Sequence, residues 1–183
     1  MAKQKIIAQF DGSYSIYKDD MYRVGAGYSI NGETFREQYI AGTMEHMGSV
    51  FAEVLALMGL LEKLQGYKKC HITIKGDNLP VISLIRKKNR AIRGLEVQFD
   101  YLRLLIEELR LAGNSIVFEW VPREQNKDCD AAASHKERFI FCYQENEKVK
   151  QMQIYDYFYE FAKEAFDHWI KSHSNYQAVE QAV

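Results

Sequence analysis

The stretch that decides the fold is KIIAQFDGS, at residues 5–13. Its apolar run from Lys5 to Phe10 predicts a buried strand, and the Asp-Gly-Ser that follows predicts a turn. We therefore expect Asp11 at the end of the first strand. An aspartate in this position is commonly a plain turn residue. A catalytic or metal-binding role for Asp11 therefore has to be argued from other residues of the chain.

The elements that follow predict a mixed α/β chain. Two strand-like runs at residues 24–30 and 34–40 flank Asn31-Gly32, which is the strongest short signal for a β-hairpin. Helical spacing of apolar residues extends from Val50 to Leu64, and a strand at residues 71–75 is followed by a helix start at Asn78. A helix at residues 95–112 and a strand at residues 116–121 complete the order β-β-β-α-β-α-α-β.

Composition excludes several classes of protein. The 24 Lys and Arg against 25 Asp and Glu exclude a uniformly basic nucleic-acid coat. No apolar run approaches the roughly 20 residues that span a bilayer, so no membrane partner is expected. The three cysteines are odd in number and lack zinc spacing, which predicts a reducing, cytoplasmic location.

Four acidic residues carry the functional prediction: Asp11, Glu53, Asp77 and Asp130. If the first and fourth strands pair in parallel, Asp11 and Asp77 lie at the same edge of the sheet, where α/β folds bind ligands. Gathered acids repel one another unless cations neutralise them, which favours one or two hard divalent ions such as Mg²⁺. Paired metal ions are suited to phosphodiester cleavage.

Each acid also has a plainer interpretation. Asp11 can be a turn residue, Glu53 a solvated helix charge, and Asp77 a helix-capping residue. Asp128 competes with Asp130, since two residues on a helix separated by two positions point roughly 200° apart and only one can face a shared site.

Four segments together resemble the type 1 ribonuclease H family. They are Phe10-Asp11-Gly12-Ser13, Ala52-Glu53, IKGDN at residues 74–78 and WVPREQNKDCD at residues 120–130. The resemblance runs from about Lys5 to Ser134, and the last segment is similar to the short branch of the family that lacks a histidine-bearing loop.

The resemblance implies fold, ligands and activity. It implies a five-stranded mixed sheet, with three antiparallel and two parallel strands, flanked by helices. It implies two Mg²⁺ ions, or Mn²⁺, bound by Asp11, Glu53, Asp77 and Asp130. The implied activity is cleavage of the RNA strand of RNA–DNA hybrids, leaving a 3′-hydroxyl and a 5′-phosphate. We expect an RNase H-like catalytic domain at residues 1–144.

Contacts to the nucleic acid are expected from two groups of residues. Donors to phosphate or to 2′-hydroxyl groups are expected at Gly12, Ser13, Ser49 and Asn78. A basic run of Arg86, Lys87, Lys88, Arg90 and Arg93 is expected on the DNA strand. The alternative interpretation of this run is a solvated helix end whose cations complement the helix dipole.

The end of the chain, residues 145–183, is predicted to be a helical extension. It is rich in aromatic residues, and positions 154, 158, 161 and 165 fall on one helical face. We expect this face to pack on the domain or on a protein partner.

Two other functions remain open from the sequence. One is a nucleic-acid binding or scaffolding module that has the fold without turnover. The other is a DNA-processing nuclease of the same superfold, because a fold does not determine its substrate.

Overall fold

The computed structural model describes residues 3–18, 21–41, 48–87, 90–145, 148–156, 159–172 and 176–179. The chain forms two compact units, Met1–Ser134 and His135–Val183. Within the described ranges, no helix has both the length and the apolar character needed to cross a lipid bilayer.

The first unit is built on a mixed five-stranded sheet. Its strands are β1 (Lys5–Lys18), β2 (Met21–Ile30), β3 (Glu33–Ala41), β4 (His71–Gly76) and β5 (Ser115–Trp120), in the spatial order β3-β2-β1-β4-β5. The β1–β2 and β2–β3 pairs are antiparallel, and the β1–β4 and β4–β5 pairs are parallel. The predicted mixed sheet is therefore confirmed.

The hairpin between β2 and β3 turns where the sequence predicts it. Asn31 and Gly32 both have positive φ, at 51° and 88°. Two consecutive residues in this region are what a tight hairpin turn requires, and Asn-Gly adopts it at low cost.

The described residues of the first unit also form four α-helices: α1 (Gly48–Leu64), α2 (Leu79–Arg86), α3 (Glu96–Leu111) and α4 (Lys127–Ala133). The core joins buried leucines of α1 and α3 to the apolar residues Ile6, Ala8 and Phe10 of β1. Asn78 caps helix α2 just before its first residue, because its Oδ1 accepts a hydrogen bond from the Val81 amide at 3.2 Å. This cap satisfies one of the free amides in the first turn.

Helix α4 lies directly on the backbone of β2, on the face opposite α1. A β-carbon on Gly25 would lie 1.8 Å from the Ala133 carbonyl oxygen, and one on Gly27 would lie 2.1 Å from the Cys129 carbonyl oxygen. Alternate residues of β2, such as Ala26 and Tyr28, point into the core beneath α1. The two glycines therefore determine how closely α4 approaches the sheet.

One expectation about β1 is wrong. Asp11 does not end the strand, because β1 continues to Lys18 through its antiparallel pairing with β2. The parallel pairing with β4 does end nearby, at Gln9 and Lys75. Asp11 and Asp77 each follow the last parallel pair by two residues. The two acids therefore still lie close together, as the sequence predicts.

The second unit contains β6 (Glu137–Glu145), β7 (Lys148–Asp156), α5 (Tyr159–Ser172) and β8 (Tyr176–Val179). Its three strands are antiparallel, in the order β7-β6-β8. Phe166 of α5 is buried, and Met152 and Ile154 pack with it.

The prediction of a helical extension over residues 145–183 is wrong in its first part. Met152 and Ile154 alternate with Gln151 and Gln153, which is the period of a strand, and residues 148–156 form β7. Within the described part of this segment, the helix is Tyr159–Ser172. The structure divides after Ser134, whereas the sequence places the end of the catalytic domain at residue 144. That residues 1–144 are the catalytic domain stays a prediction.

Candidate metal and nucleic-acid site

Three carboxylates from separate elements meet at the edge of the sheet. Asp11 comes from β1, Glu53 from α1 and Asp77 from the residue after β4, and one carboxylate oxygen of each lies within 4.8 Å of the others. Asp11 and Glu53 are buried, with 5% and 6% exposure. The parallel register of β1 and β4 brings the two aspartates together, and α1 adds the glutamate.

Gly12 allows the glutamate to approach. A β-carbon at this position would lie 2.1 Å from the carbonyl carbon of Ala52 and 2.2 Å from the amide nitrogen of Glu53. Real β-carbons do not approach backbone this closely, so α1 can cross β1 at this depth only over a glycine. The closeness of Glu53 to Asp11 therefore depends on the absence of a side chain at Gly12.

Burial and mutual repulsion make these carboxyls hard to ionise. Burial raises the pKa of Asp11 to about 7, with the charges of Asp77 and Asp130 adding to the shift. Burial also raises the pKa of Glu53 to about 10, followed by the charges of Asp11 and Asp77. The pKa of Asp77 is raised as well, mainly by burial.

The residues present fit a divalent cation. Glu53 Oε2 is buried and has no hydrogen-bond partner, although an unpaired buried carboxylate oxygen is costly. Oxygen ligands from carboxylates are those that Mg²⁺ and Mn²⁺ prefer. A cation bound among the three acids would give this oxygen a partner and remove the repulsion.

Asp130 lies in the same cavity but outside the group of three. Its carboxylate accepts a hydrogen bond from Arg123 Nη2 and forms an ion pair with it. Asp128 is exposed and does not line the cavity. Of the two candidates on α4, Asp130 is thus the one that faces the site, and its role as a fourth metal ligand stays a prediction.

The cavity around the acids has a volume of about 440 Å³. The predicted nucleic-acid contacts Gly12, Ser13, Ser49 and Asn78 all line it. The Ser13 hydroxyl donates to the Ala133 carbonyl at 2.6 Å, and the Gly12 amide donates to Asp11 at 3.0 Å. Ser49 is exposed at the cavity. Whether these residues contact a substrate stays a prediction.

The basic run lies elsewhere in the described structure. Lys87, Arg90 and Arg93 are exposed, and Lys88 lies outside the described residues. Arg86 Nε donates to the Phe118 carbonyl at 3.0 Å, which holds this side chain against β5. No described member of the run lines the acidic cavity.

Sequence reasoning missed several residues at the site. Tyr14, Arg123 and Ser134 line the cavity. Asn126 is buried beside it, and its Nδ2 donates to the Phe10 carbonyl at 2.8 Å while its own carbonyl accepts from the Asp130 amide at 3.0 Å. Asn126 therefore ties the start of α4 to the backbone just before Asp11. The only sequence signal for these contacts was the segment at residues 120–130.

Comparison with known proteins identifies the family. A family model described as reverse transcriptase-like matches residues 36–136, which is more than half of the chain. The chain belongs to this RNase H-like family. The resemblance carried by the four sequence segments is thereby confirmed. Among curated protein sequences, none matches this RNase H-like chain.

Several solved structures share the fold of this RNase H-like protein. LC11-RNase H1, isolated from compost by a metagenomic approach and crystallised with an RNA/DNA hybrid, is 21% identical. The match covers 71% of this chain and 94% of that chain, with a TM-score of 0.55. RNase H1 from the archaeon Halobacterium salinarum is 20% identical, covering 72% and 96%, with a TM-score of 0.52.

A viral protein is also similar. The foamy viral protease-reverse transcriptase, solved in complex with double-stranded DNA, is 13% identical, covering 71% of this chain and 92% of that chain, with a TM-score of 0.55. At these identities the likeness establishes the fold of the RNase H-like unit.

The raised pKa values predict how the metal-free protein responds to pH. A carboxyl whose folded pKa exceeds its unfolded value binds more protons when folded, so the free energy of unfolding falls as pH rises between the two values. For Glu53 this window runs from 4.5 to about 10. In EDTA at pH 8.5, four pH units above the unfolded pKa of 4.5, Glu53→Gln should therefore raise the free energy of unfolding by up to about 5 kcal/mol, at about 1.4 kcal/mol per pH unit.

Denaturant unfolding at pH 5 and pH 8.5 measures this effect. The gain should be much smaller at pH 5, and Mg²⁺ should stabilise the native chain but not the variant. Glu108→Gln, at an exposed position of α3, is the matched control and should have little effect at either pH. A loss of stability in Glu53→Gln at pH 8.5 would contradict the description of the acids as mutually repelling.

Proposed function

We propose that the chain hydrolyses the RNA strand of RNA–DNA hybrids, using two divalent metal ions, Mg²⁺ or Mn²⁺, held by Asp11, Glu53, Asp77 and Asp130. The observation that carries the proposal is the buried group of three acids, in which Glu53 Oε2 has no partner. The fold of LC11-RNase H1, which was crystallised with an RNA/DNA hybrid, supports the choice of substrate.

The chemistry needs a metal that this site can hold. When bound, such ions neutralise the phosphate and lower the pKa of water near the scissile bond. The chain supplies the carboxylates that hold them. The cap at Asn78 and the contact of Asn126 with Phe10 keep the backbone around Asp77 and Asp11 in place.

Arg123 is the cationic residue among those that line the cavity. Its guanidinium reaches Asp130 and is otherwise largely exposed, with 72% of its side chain accessible. A phosphodiester approaching four acids meets strong repulsion, which a guanidinium at the mouth of the cavity reduces. We propose that Arg123 contacts a phosphate of the substrate.

Replacing Arg123 tests this role. Arg123→Ala should lower kcat/KM for hybrid cleavage by about tenfold or more, because the substrate phosphate then loses the cationic side chain that lines the cavity. Arg123→Lys keeps the charge and should retain much of the activity. Equal activity of the alanine variant and the native chain would show that the substrate does not use this cation.

A panel of labelled duplexes tests the proposed substrate. The chain is incubated in Mg²⁺ with an RNA–DNA hybrid, double-stranded RNA and double-stranded DNA of one sequence. We expect cuts in the RNA strand of the hybrid and none in the other duplexes. Cleavage of duplex DNA would instead favour the DNA-processing nuclease, which the fold shared with the foamy viral enzyme makes the second candidate. Binding of the hybrid without cleavage would indicate a scaffolding module.

The cysteines support the predicted reducing, cytoplasmic location. Cys70 and Cys129 are free and buried. Burial raises the pKa of the Cys129 thiol to about 12, so it stays protonated and unreactive at neutral pH.

The segment at residues 145–183 is rich in aromatic residues. On this ground we also propose that α5 contacts a protein partner.

A further inference from the structure

A second concave surface lies between α2, α3 and β5. This groove has a volume of about 700 Å³ and shares no lining residue with the acidic cavity. Its floor and walls contain the apolar residues Ile85, Leu104, Ile106, Ile116, Val117 and Phe118. Leu104 and Val117 are exposed by 54% and 40%, which is unusual for large apolar side chains that lie together.

Arginines surround this apolar floor. Arg86, Arg103 and Arg110 line the groove, against one acid, Glu107. Arg103 pairs with the exposed Asp100 at 2.7 Å, and Arg110 pairs with Glu107 at 3.7 Å. Both members of the Arg110–Glu107 pair are exposed, whereas Arg103 is partly buried and also donates to the Arg90 carbonyl. Ion pairs open to solvent contribute little stability, so an anionic partner can replace Glu107 or Asp100. The groove therefore presents positive charge around an apolar surface.

The open edge of β5 borders the groove. β5 is the last strand of its sheet, and the amides of Ser115 and Val121 donate to carbonyls on the β4 side. Alternate residues of a strand turn their amides to opposite sides, so those of Ile116 and Phe118 face away from β4. The Phe118 carbonyl also faces outward and already accepts a hydrogen bond from Arg86 Nε at 3.0 Å, so a peptide strand would replace this donor or pair with the other outward groups of the edge.

From these features we infer that the groove binds an extended peptide in which acidic and apolar residues alternate. The apolar side chains would cover Leu104 and Val117, and the carboxylates would pair with Arg103 and Arg110. The backbone would bond the open edge of β5, a known mode of peptide recognition. A nucleic-acid backbone fits less well, because it would bury the apolar floor against phosphates and bring them to Glu107. The inference does not depend on the proposed nuclease activity.

Fluorescence anisotropy on the full chain tests this inference. The probe is a labelled peptide of about six residues that alternates Glu with Leu, matching the length of a typical strand. Control peptides alternate Lys with Leu and Glu with Ser. We expect saturable binding of the Glu-Leu peptide and little binding of either control. Backbone amide signals of Ile116 and Phe118 should shift in an NMR titration.

Matched variants locate the site. Arg110→Glu and Leu104→Ser should each weaken binding of the Glu-Leu peptide by about tenfold. Two control variants lie outside the groove. Arg36→Glu makes the same change of charge on β3, and Leu111→Ser removes the same apolar side chain from an exposed position of α3. Both controls should bind like the native chain. Absence of binding, equal effects of groove and control variants, or displacement of the peptide by an RNA–DNA hybrid would overturn the inference.

Discussion

Asp77→Asn is expected to reduce hybrid cleavage by about a thousandfold, because it removes an anionic metal ligand whose ion contributes several kcal/mol to the reaction. The side chain keeps its volume, so the fold and the binding of the hybrid should be preserved. Single-turnover cleavage of a labelled hybrid in Mg²⁺ measures the first effect. Anisotropy of the same hybrid in EDTA measures the second.

Asp128→Asn is the matched control for this variant. Asp128 lies outside the acidic cavity, so its substitution should leave cleavage within a few-fold of the native rate. Near-native cleavage by Asp77→Asn would remove Asp77 from the proposed metal ligands. A large loss in Asp128→Asn together with normal activity in Asp130→Asn would reverse the choice between the two residues of α4.

Gly12→Ala should also reduce hybrid cleavage strongly, because it displaces a proposed metal ligand instead of removing one. The new methyl group would lie within 2.2 Å of backbone atoms of Ala52 and Glu53, so α1 must move away from β1. Such overpacking is expected to cost about 3 kcal/mol of stability. A displacement of Glu53 of about 1 Å would also lower cleavage by about a hundredfold.

Gly66→Ala separates this contact from the general effect of replacing a glycine. No atom lies within 4 Å of the position that a β-carbon would occupy at Gly66. The control should therefore unfold and cleave like the native chain. Thermal unfolding and hybrid cleavage, measured on both variants, check the prediction, and native behaviour of Gly12→Ala would show that the close crossing of α1 is not required.

Local signals were sufficient for the architecture of the first unit. The Asn31-Gly32 turn, the helical spacing after Val50 and the cap at Asn78 are each encoded within a few residues. Parallel pairing of the first and fourth strands then brought Asp11 and Asp77 together. The candidate acids could therefore be predicted from the sequence. The prediction combined the order of the strands with the right-handed connection between parallel strands.

Features that depend on distant parts of the chain were not accessible. The extension of β1 to Lys18 rests on its pairing with β2. Ser13, Tyr14, Ser15 and Ile16 alternate as in a strand, but the turn signal of Asp11-Gly12-Ser13 outweighed this short pattern. The pairing of Arg123 with Asp130 and the bond from Asn126 to Phe10 depend on where α4 lies. That position follows from Gly25 and Gly27, whose role as contact points becomes visible only in three dimensions.

The strands of the second unit were not predicted from the sequence. The aromatic residues near the end of the chain have helical spacing, so the whole segment at residues 145–183 was predicted to be helical. Of the four positions predicted to share one helical face, 161 and 165 lie in α5, 154 lies in β7, and 158 lies outside the described residues. Ala165 is exposed and Phe166 is buried, whereas Met152 and Ile154 follow a period of two. A strand of alternating polar and apolar residues is a weaker signal than an amphipathic helix next to it.

Analysis of the ends produced on an RNA–DNA hybrid tests the proposed activity most directly. The native chain is incubated with the hybrid in Mg²⁺, in Mn²⁺ and in EDTA, with each strand labelled in turn. We predict RNA fragments with 5′-phosphate and 3′-hydroxyl ends in the presence of metal, an intact DNA strand, and no cleavage in EDTA. Intact RNA in both metals, or fragments with cyclic phosphate ends formed in EDTA, would contradict a metal-dependent hybrid nuclease.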